Sequence, residues 1–355
     1  MRRFGTLAAA GMLAFAAAGC GSSGGGDSGN GGGSGGEVQV AATMSVLQDM
    51  TEQVGGDRVE VSTIAPVGAT VETFQPSPSD AQKISEADLV VENGTGLESW
   101  LDDLIESAGG ETPVATLSED LEPMDSGGHE AHSEDEHSEE HDHGEGDHSE
   151  HEHSEEEHSE DAHSEDAHSE DAHSEDAHGH AHAGGNPHFW LDVENAEHYV
   201  EEIRDRLIEV DPEGEEQYRQ NAEEYLAELE ELDGYIEQQA RQIPEENRKL
   251  VTAHDAFPYF AEAYGFELSG VVIQNPDAEP GSREVAGIVQ DVEEENVQAV
   301  FTEPQFNSGL ADTIANEAGV EVAELYSDTL VEDEAGDSYV DMMRTNIDRI
   351  ARALG

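Results

Sequence analysis

The sequence predicts an α/β protein with two lobes, each built on a mainly parallel sheet. Short apolar runs alternate with amphipathic segments over 38–107 and again over 249–354, a pattern typical of repeated β-α-β units. A long amphipathic helix is predicted between the two alternations. The chain has 355 residues. Roughly 280 remain beyond a signal peptide and a low-complexity tract, enough for two such lobes.

The first alternation predicts three strands and three helices. Apolar runs bounded by turn residues indicate the strands, and apolar residues at three- and four-residue steps indicate the helices. The predicted strands are 38–42, 59–65 and 88–92. The predicted helices are 45–54, 80–86 and 97–107. Gly55-Gly56 supplies the glycine that commonly ends a helix such as the first.

Two helices are predicted in the middle of the chain, over 193–210 and 213–242. Apolar residues of the second recur at helical spacing: Tyr218, Ala222, Tyr225, Leu229, Leu232 and Ile236. Asp211-Pro212 precedes this helix and Pro244 follows it. At 1.5 Å per residue it would extend roughly 45 Å, long enough to join the two lobes. A long surface helix within one domain is the alternative.

The second alternation predicts a further α/β lobe of four strands and four helices. The predicted strands are 249–253, 266–273, 297–302 and 321–325. The predicted helices are 257–264, 283–294, 310–318 and 338–354. Strands separated by helices indicate crossover connections and hence parallel pairing.

The N-terminus has the features of an export signal. A basic Met1-Arg2-Arg3 precedes an apolar stretch over 4–18 that is too short for a permanent membrane helix. Ala17-Ala18-Gly19-Cys20 resembles a lipoprotein cleavage site, which would leave Cys20 lipidated; an ordinary signal peptide with a stray cysteine is the alternative. Residues 21–36 are almost all Gly and Ser, as in a flexible tether. We expect a protein outside the cytoplasm, anchored to the outer face of the cell membrane or periplasmic.

A tract over 129–182 contains fifteen His and twenty-two Asp or Glu, without any Lys or Arg. Its second half repeats His-Ser-Glu-Asp-Ala from His158 to Ala177. Imidazole and carboxylate are ligands of divalent transition metals, so this composition predicts a disordered, auxiliary metal-collecting segment. A solvated acidic linker with incidental His is the alternative. The histidines are His129, His132, His137, His141, His143, His148, His151, His153, His158, His163, His168, His173, His178, His180 and His182.

The formal net charge is −70, and removing the twenty-two acidic charges of the tract still leaves about −48. Such an acidic chain is unsuited to binding the phosphate backbone, so nucleic acid is excluded as a partner. An excess of surface acid suits a protein that stays soluble in high salt, where screening weakens its self-repulsion. We therefore infer a halophilic source.

Residues just beyond the predicted strands are the candidate site, because ligands of open α/β sheets bind at the carboxyl ends of the strands. The polar residues at these positions are Glu72, His254-Asp255, Glu303 and Tyr326-Ser327-Asp328, and His188 precedes the helix 193–210. Two His and several carboxylates drawn from both lobes predict a metal cage between the lobes. A single His after a strand is more often structural than a ligand.

Four segments share their order and spacing with a known family: 73–80, 186–192, 254–260 with Tyr264-Gly265, and 301–305. From about residue 38 to the C-terminus, the chain resembles the zinc and manganese substrate-binding proteins of high-affinity ABC importers. This group includes the periplasmic zinc-uptake binding protein and the metal-binding surface lipoproteins of Gram-positive bacteria. Its members carry a long acidic, His-rich insertion between the first and second metal ligands, where this chain has its tract.

The resemblance implies two α/β lobes joined by one long rigid helix, with the metal in the cleft between them. It also implies that His188, His254 and Asp328 are metal ligands. The family's first ligand is a His, and this chain has Glu72 at that position. A carboxylate position that manganese-type members use has no certain counterpart here.

A set of Glu72, His188, His254 and Asp328 would offer two nitrogens and two oxygens. Carboxylate oxygen binds zinc, but each added oxygen shifts the preference toward manganese or ferrous iron. The His-rich tract favours zinc, which we expect as the cargo, with manganese as the alternative. A tract His that replaces the missing ligand is a third possibility.

These segments predict a signal peptide over 1–20, a tether over 21–36, a first lobe over 37–212 with the insertion 129–183, a linking helix over 213–243 and a second lobe over 244–355. The expected function is metal capture outside the membrane, with delivery to an ABC permease and its ATPase by a monomer. A metal-dependent hydrolase is disfavoured because the chain has no His-Glu-x-x-His motif. An adhesin or an extracellular metal buffer is the third class.

Overall fold

Two four-stranded sheets form the frame of a computed structural model that describes residues 37–125, 184–273, 281–331 and 336–355. The first sheet contains β1 Val38–Ala42, β2 Val59–Thr63, β3 Leu89–Glu92 and β4 Val114–Thr116. The second contains β5 Lys249–Thr252, β6 Glu267–Val271, β7 Ala299–Thr302 and β8 Glu321–Glu324. Every pairing is parallel, so the predicted α/β class with two parallel sheets is confirmed.

The strand order is β2-β1-β3-β4 in the first sheet and β6-β5-β7-β8 in the second. In both sheets the chain winds outward in opposite directions from a central pair, β1 with β3 and β5 with β7. A crevice opens beyond the carboxyl ends of such a pair, and this is where open α/β sheets bind ligands.

Helices connect the strands and cover the sheets. The described helices are α1 Ser45–Gly55, α2 Pro78–Glu86, α3 Leu101–Ala108, α4 Val193–Val210, α5 Glu215–Ala240, α6 Pro258–Tyr264, α7 Ser282–Glu294, α8 Gly309–Ala318 and α9 Tyr339–Leu354. Asp192 caps α4, because its side chain accepts a hydrogen bond from the backbone N–H of Glu194. The Ser77 hydroxyl and the Asp80 carboxylate form a capping box at the start of α2.

Helix α5 contacts elements of both halves of the chain. It packs against α1 and α4 on one side and against α6 and α9 on the other. Asn221 of α5 donates to the carbonyl of Val54 at 2.9 Å, and Tyr235 donates to Asp348 at 2.7 Å. Its 26 residues span roughly 39 Å at 1.5 Å per residue. The helix is shorter at both ends than the predicted 213–242. The domain boundaries on either side of it stay a prediction.

One hydrophobic core extends beneath both sheets. It includes Val91 of β3 and Phe301 of β7, together with Trp190, Phe257 and Tyr339, each fully buried. A second, smaller cluster lies between the second sheet and the helices α7 and α8. The loops at the carboxyl ends of the strands therefore rest on close-packed side chains, which favours a defined geometry at the site.

The structure corrects the sequence analysis at a few places. The strand β4 is absent from the predicted elements, and the helix predicted from residue 97 begins only at Leu101. The predicted signal peptide, tether, lipidated Cys20 and the tract 129–183 lie outside the described residues. None of the described helices is long and apolar enough to cross a membrane.

Candidate metal centre

Four loops meet at the carboxyl edge of the second sheet. His254 lies two residues beyond β5 and Glu303 directly beyond β7, the two strands at which the strand order reverses. Asp328 follows β8 by four residues. His188 arrives from the other half of the chain, at the start of a short turn that leads into α4. The fold thus brings together two histidines and two carboxylates that are far apart in the sequence.

Three of the four predicted ligand side chains form a tight buried group. The Nε2 atoms of His188 and His254 are 3.3 Å apart, and each lies 3.6 Å from an oxygen of Asp328. All three residues are at most 3% exposed. Ligand atoms 2.0–2.2 Å from a tetrahedral ion are separated by roughly 3.3–3.6 Å. The three side chains therefore lie close enough to share one ion, with each oxygen of Asp328 facing a different histidine.

Asp328 is a buried carboxylate without ordinary hydrogen bonds. Among the described residues, neither of its oxygens has a hydrogen-bond partner, although each approaches one histidine ring. Burial raises the pKa of Asp328, but the facing His254 and then His188 outweigh it and hold that pKa below its ordinary value. A buried carboxylate whose lone pairs are not taken up by donors is suited to a cation.

His254 is oriented by Glu303. Its Nδ1 lies 2.8 Å from Glu303 Oε1, and the other oxygen of Glu303 accepts from Ser327 and from Gln305. Burial lowers the pKa of His254, but the charges of Glu303 and Asp328 prevail and raise it well above its ordinary value. The raised pKa favours a ring that is protonated on both nitrogens. When a metal displaces the proton from Nε2, the proton on Nδ1 stays with Glu303, the usual carboxylate–histidine arrangement at metal sites.

His188 is oriented by Asn186. The Asn186 Oδ1 atom lies 3.0 Å from both the backbone nitrogen and Nδ1 of His188. Because an amide oxygen only accepts hydrogen bonds, Nδ1 carries the proton and Nε2 presents its lone pair. The ring also packs against Trp190, with centroids 5.2 Å apart. Both histidines therefore present Nε2 toward the same point.

Glu72 lies at the edge of this group. Its Oε1 is 3.7 Å from Nε2 of His188, but Glu72 falls outside the set of ligand atoms that lie within 4.8 Å of one another. The loop that carries it is held in place by Trp100, which donates to the carbonyl of Val71 at 2.8 Å and packs edge-on against Phe74. The structure thus places Glu72 beside the three other side chains without including it in their cluster.

The Asp328 segment is bonded to the first half of the chain at two points. The carbonyl of Ser327 accepts from the Trp190 indole at 3.0 Å, and the Thr329 hydroxyl accepts from the backbone N–H of Gly68 at 3.0 Å. Gly68 belongs to the loop that carries Glu72. The ligand loops therefore hold one another across the cleft.

The sequence analysis missed two supporting residues. Glu303 is predicted only as one of several strand-end carboxylates of a metal cage, and not as the hydrogen-bond partner of His254. Asn186 was part of the family motif, again without a role. The position of Glu303 after β7 is a usable signal only once the strand order places β7 beside β5. The fifteen histidines of the tract lie outside the described residues.

The chain is similar in sequence to known metal-binding proteins. A family model described as the periplasmic component A of the zinc-uptake complex matches residues 40–353. The manganese-binding lipoprotein of Halalkalibacterium halodurans is 33% identical over 97% of this chain and 96% of its own length. The manganese ABC transporter substrate-binding lipoprotein of a Streptococcus pneumoniae strain is 27% identical over 90% of this chain and 89% of its own length.

Solved structures agree on the fold. The periplasmic zinc-binding protein from Treponema pallidum superposes with a TM-score of 0.69 at 22% identity, over 90% of this chain and all of that one. A manganese-bound periplasmic metal-binding protein from Candidatus Liberibacter asiaticus gives 0.68 at 22% identity, over 89% and 99%. With a family model that covers almost all of the described chain, this protein belongs to the zinc-uptake component A family of metal ABC importer substrate-binding proteins.

Proposed function

We propose that this protein captures a divalent metal ion outside the cytoplasm and delivers it to an ABC permease. The observation that carries the proposal is the buried group of His188, His254 and Asp328. Its ligand atoms have the spacing of a metal's coordination shell, and the oxygens of Asp328 have no hydrogen-bond donors among the described residues. Glu72 is proposed as the fourth ligand, from the loop bonded to the Asp328 segment.

Zinc is the cargo that we propose first. Two imidazole nitrogens 3.3 Å apart beside a buried carboxylate suit zinc, which takes nitrogen and oxygen ligands in four-coordinate sites. The His-rich tract adds many imidazoles of the same kind. It would bind further zinc ions weakly and release them as pH falls through the histidine pKa of about 6.5.

Manganese is the second candidate, and a specific feature favours it. The two oxygens of Asp328 face different histidines, so this carboxylate can bind through both. With Glu72 the site would offer more oxygen than nitrogen, as manganese prefers. The two relatives from Halalkalibacterium and Streptococcus described above are named for manganese.

The partners, oligomeric state and location that we propose follow from membership of the same family. The partners are a permease and its ATPase, the chain acts as a monomer, and a lipid on Cys20 anchors it to the membrane. A hydrolase would need a base beside an open position on the metal. Glu303, a neighbouring carboxylate that is not a proposed ligand, is instead bonded to His254. An extracellular buffer or adhesin would rely on the tract alone.

Metal binding by single-site variants tests the proposal. On a chain lacking 128–183, calorimetry with zinc should show one tight site. His188→Ala and His254→Ala should each weaken that site strongly, whereas His198→Ala, a change of the remaining histidine outside the tract, should not. If both ligand variants retain the parent affinity, the proposed site is wrong. Loss of the tight site on deletion alone would show that the tract supplies a ligand, and absence of any core site would favour the buffer.

A further inference from the structure

Asn186 makes a hydrogen bond with every polar group it has. Its backbone N–H donates to the carbonyl of Met124 at 2.8 Å, and its own carbonyl accepts from the Tyr259 hydroxyl at 2.7 Å. Its side-chain oxygen accepts from His188, and its side-chain Nδ2 donates to the carbonyl of Asp255 at 2.7 Å. The residue is 1% exposed. Its backbone and both ends of its side-chain amide are therefore held in place.

The two ends of the Asn186 amide reach the two histidine loops separately. The oxygen holds the ring of His188 through Nδ1, and the amino group holds the backbone next to His254 through Asp255. The Nε2 atoms of the two histidines on these loops are 3.3 Å apart. A side chain with one acceptor and one donor group is required for this, since a carboxylate cannot donate and a hydrocarbon can do neither.

The side-chain amide of Asn186 is uncharged, so it adds no charge to the site. His254 is paired with the charged Glu303, whereas His188 receives its hydrogen bond from a neutral oxygen. Partners of this kind fix the tautomer and the orientation of a histidine ligand, and their loss typically weakens metal binding by 10–100-fold.

We propose that Asn186 is a positioning residue that sets the distance between the two histidine ligands by bridging their loops. This inference rests on the proposed function, because it concerns the same metal site. It adds that the spacing suited to a metal is imposed by an uncharged residue that does not touch the ion. Asn186 is thus expected to affect affinity and coordination geometry together.

The test uses the full chain and zinc alone, in competition with a chelator of nanomolar affinity, so that weak binding by the tract is not counted. Asn186→Ala should weaken the tight site by 10–100-fold. Asn186→Asp keeps the acceptor for His188 and loses the donor for Asp255, so it should bind more tightly than Asn186→Ala and less tightly than the parent. Asn195→Ala is the matched control. Asn195 bonds the carbonyl of Phe189 and the side chain of Asp192 and neither histidine, so its affinity should equal that of the parent.

Cobalt spectroscopy provides a readout that a general loss of stability would not move. The visible bands of the parent loaded with cobalt should change in shape and intensity in Asn186→Ala and stay unchanged in Asn195→Ala. If Asn186→Ala does not fold, the comparison of Asn186→Asp with the parent decides.

Two outcomes would overturn the inference while leaving the proposed function intact. One is an Asn186→Ala protein that binds zinc within twofold of the parent and keeps its cobalt spectrum. The other is an Asn186→Asp protein as weak as Asn186→Ala, which would mean that the acceptor to His188 has no part in binding. A parent chain without any tight site would instead refute the proposed function itself.

Discussion

Loops at the carboxyl ends of both sheets carry a buried carboxylate, but the two carboxylates are bonded differently. In the first sheet, Glu98 accepts from the Thr43 hydroxyl at 2.7 Å and from the backbone N–H groups of Asn93 and Gly94 at 2.9 and 3.1 Å. Each of its oxygens has a donor. In the second sheet, both oxygens of Asp328 lack donors among the described residues.

This difference distinguishes a buried carboxylate that contributes to folding from one that is available to a cation. A carboxylate that accepts three hydrogen bonds already has its lone pairs taken up by donors of the protein. A carboxylate that faces two imidazoles at 3.6 Å, beyond hydrogen-bond distance, keeps lone pairs that a cation bound between it and the rings can take up. We therefore expect substitution of the first carboxylate to act on stability and substitution of the second to act on binding.

The largest effect is expected from Asp328→Ala. Zinc sites contribute about 10–16 kcal/mol through their ligands together, so one of four accounts for about 3–4 kcal/mol, or roughly 100- to 1,000-fold in affinity. Competition titration with zinc on the chain lacking 128–183 measures this. Asp291→Ala, which removes an exposed carboxylate on α7, is the control and should not change affinity. A loss below tenfold for Asp328→Ala would contradict the comparison.

The next effect concerns Glu98 and pH. Burial, with the nearby charge of Glu92, raises the pKa of Glu98 from 4.5 to about 7. Because the folded chain holds this proton more tightly than the unfolded chain, the free energy of unfolding should fall as pH rises from 4.5 to 7. The fall is at most about 3 kcal/mol.

Denaturant unfolding across this pH range tests the expectation. Glu98→Gln should lack this part of the slope, and its zinc affinity should stay within threefold of the parent. An identical dependence of unfolding free energy on pH in the parent and in Glu98→Gln would show that Glu98 does not titrate between pH 4.5 and 7. A large loss of zinc binding in Glu98→Gln would mean that the buried carboxylates of both sheets affect binding.

The smallest effect is expected at Glu72, which the first half of the chain contributes to the site. Glu72→His replaces an oxygen by an imidazole nitrogen and should raise zinc affinity relative to manganese by roughly tenfold. Competition of the two metals on the chain lacking 128–183 gives the ratio. Glu60→His on the amino half of β2 controls for the change of charge. An unchanged ratio would mean that Glu72 does not coordinate the metal.

Much of the fold was predictable because its signals are local. The bounds of α4 agree with the prediction, since Asp192 caps its start and Asp211-Pro212 follows its end. The strand β4 was missed because its three residues, Val114–Thr116, are too few to show a periodicity. Its identity as a strand depends on pairing with β3, a contact between distant parts of the chain.

The candidate site divides in the same way. His188 and His254 lie in motifs of the family that the chain resembles, and the resemblance also implies Asp328 as a ligand. The structure brings these three side chains together, while their coordination of a metal stays a prediction. The contact between His254 and Glu303 was not predicted, because it requires the strand order β5-β7. The displacement of Glu72 from the other three ligands was not predictable either, since it depends on how its loop packs against Trp100.

The bond between Met124 and Asn186 has a consequence for how this chain tolerates change in length. This hydrogen bond joins the two residues that flank the 61-residue segment 125–185, so the flanking residues lie side by side. For a flexible loop, each doubling in length adds only about 0.6 kcal/mol to the entropy of closure. A tract that is disordered, as its composition predicts, can therefore gain or lose repeats such as the pentad with little effect on the free energy of unfolding of the lobes.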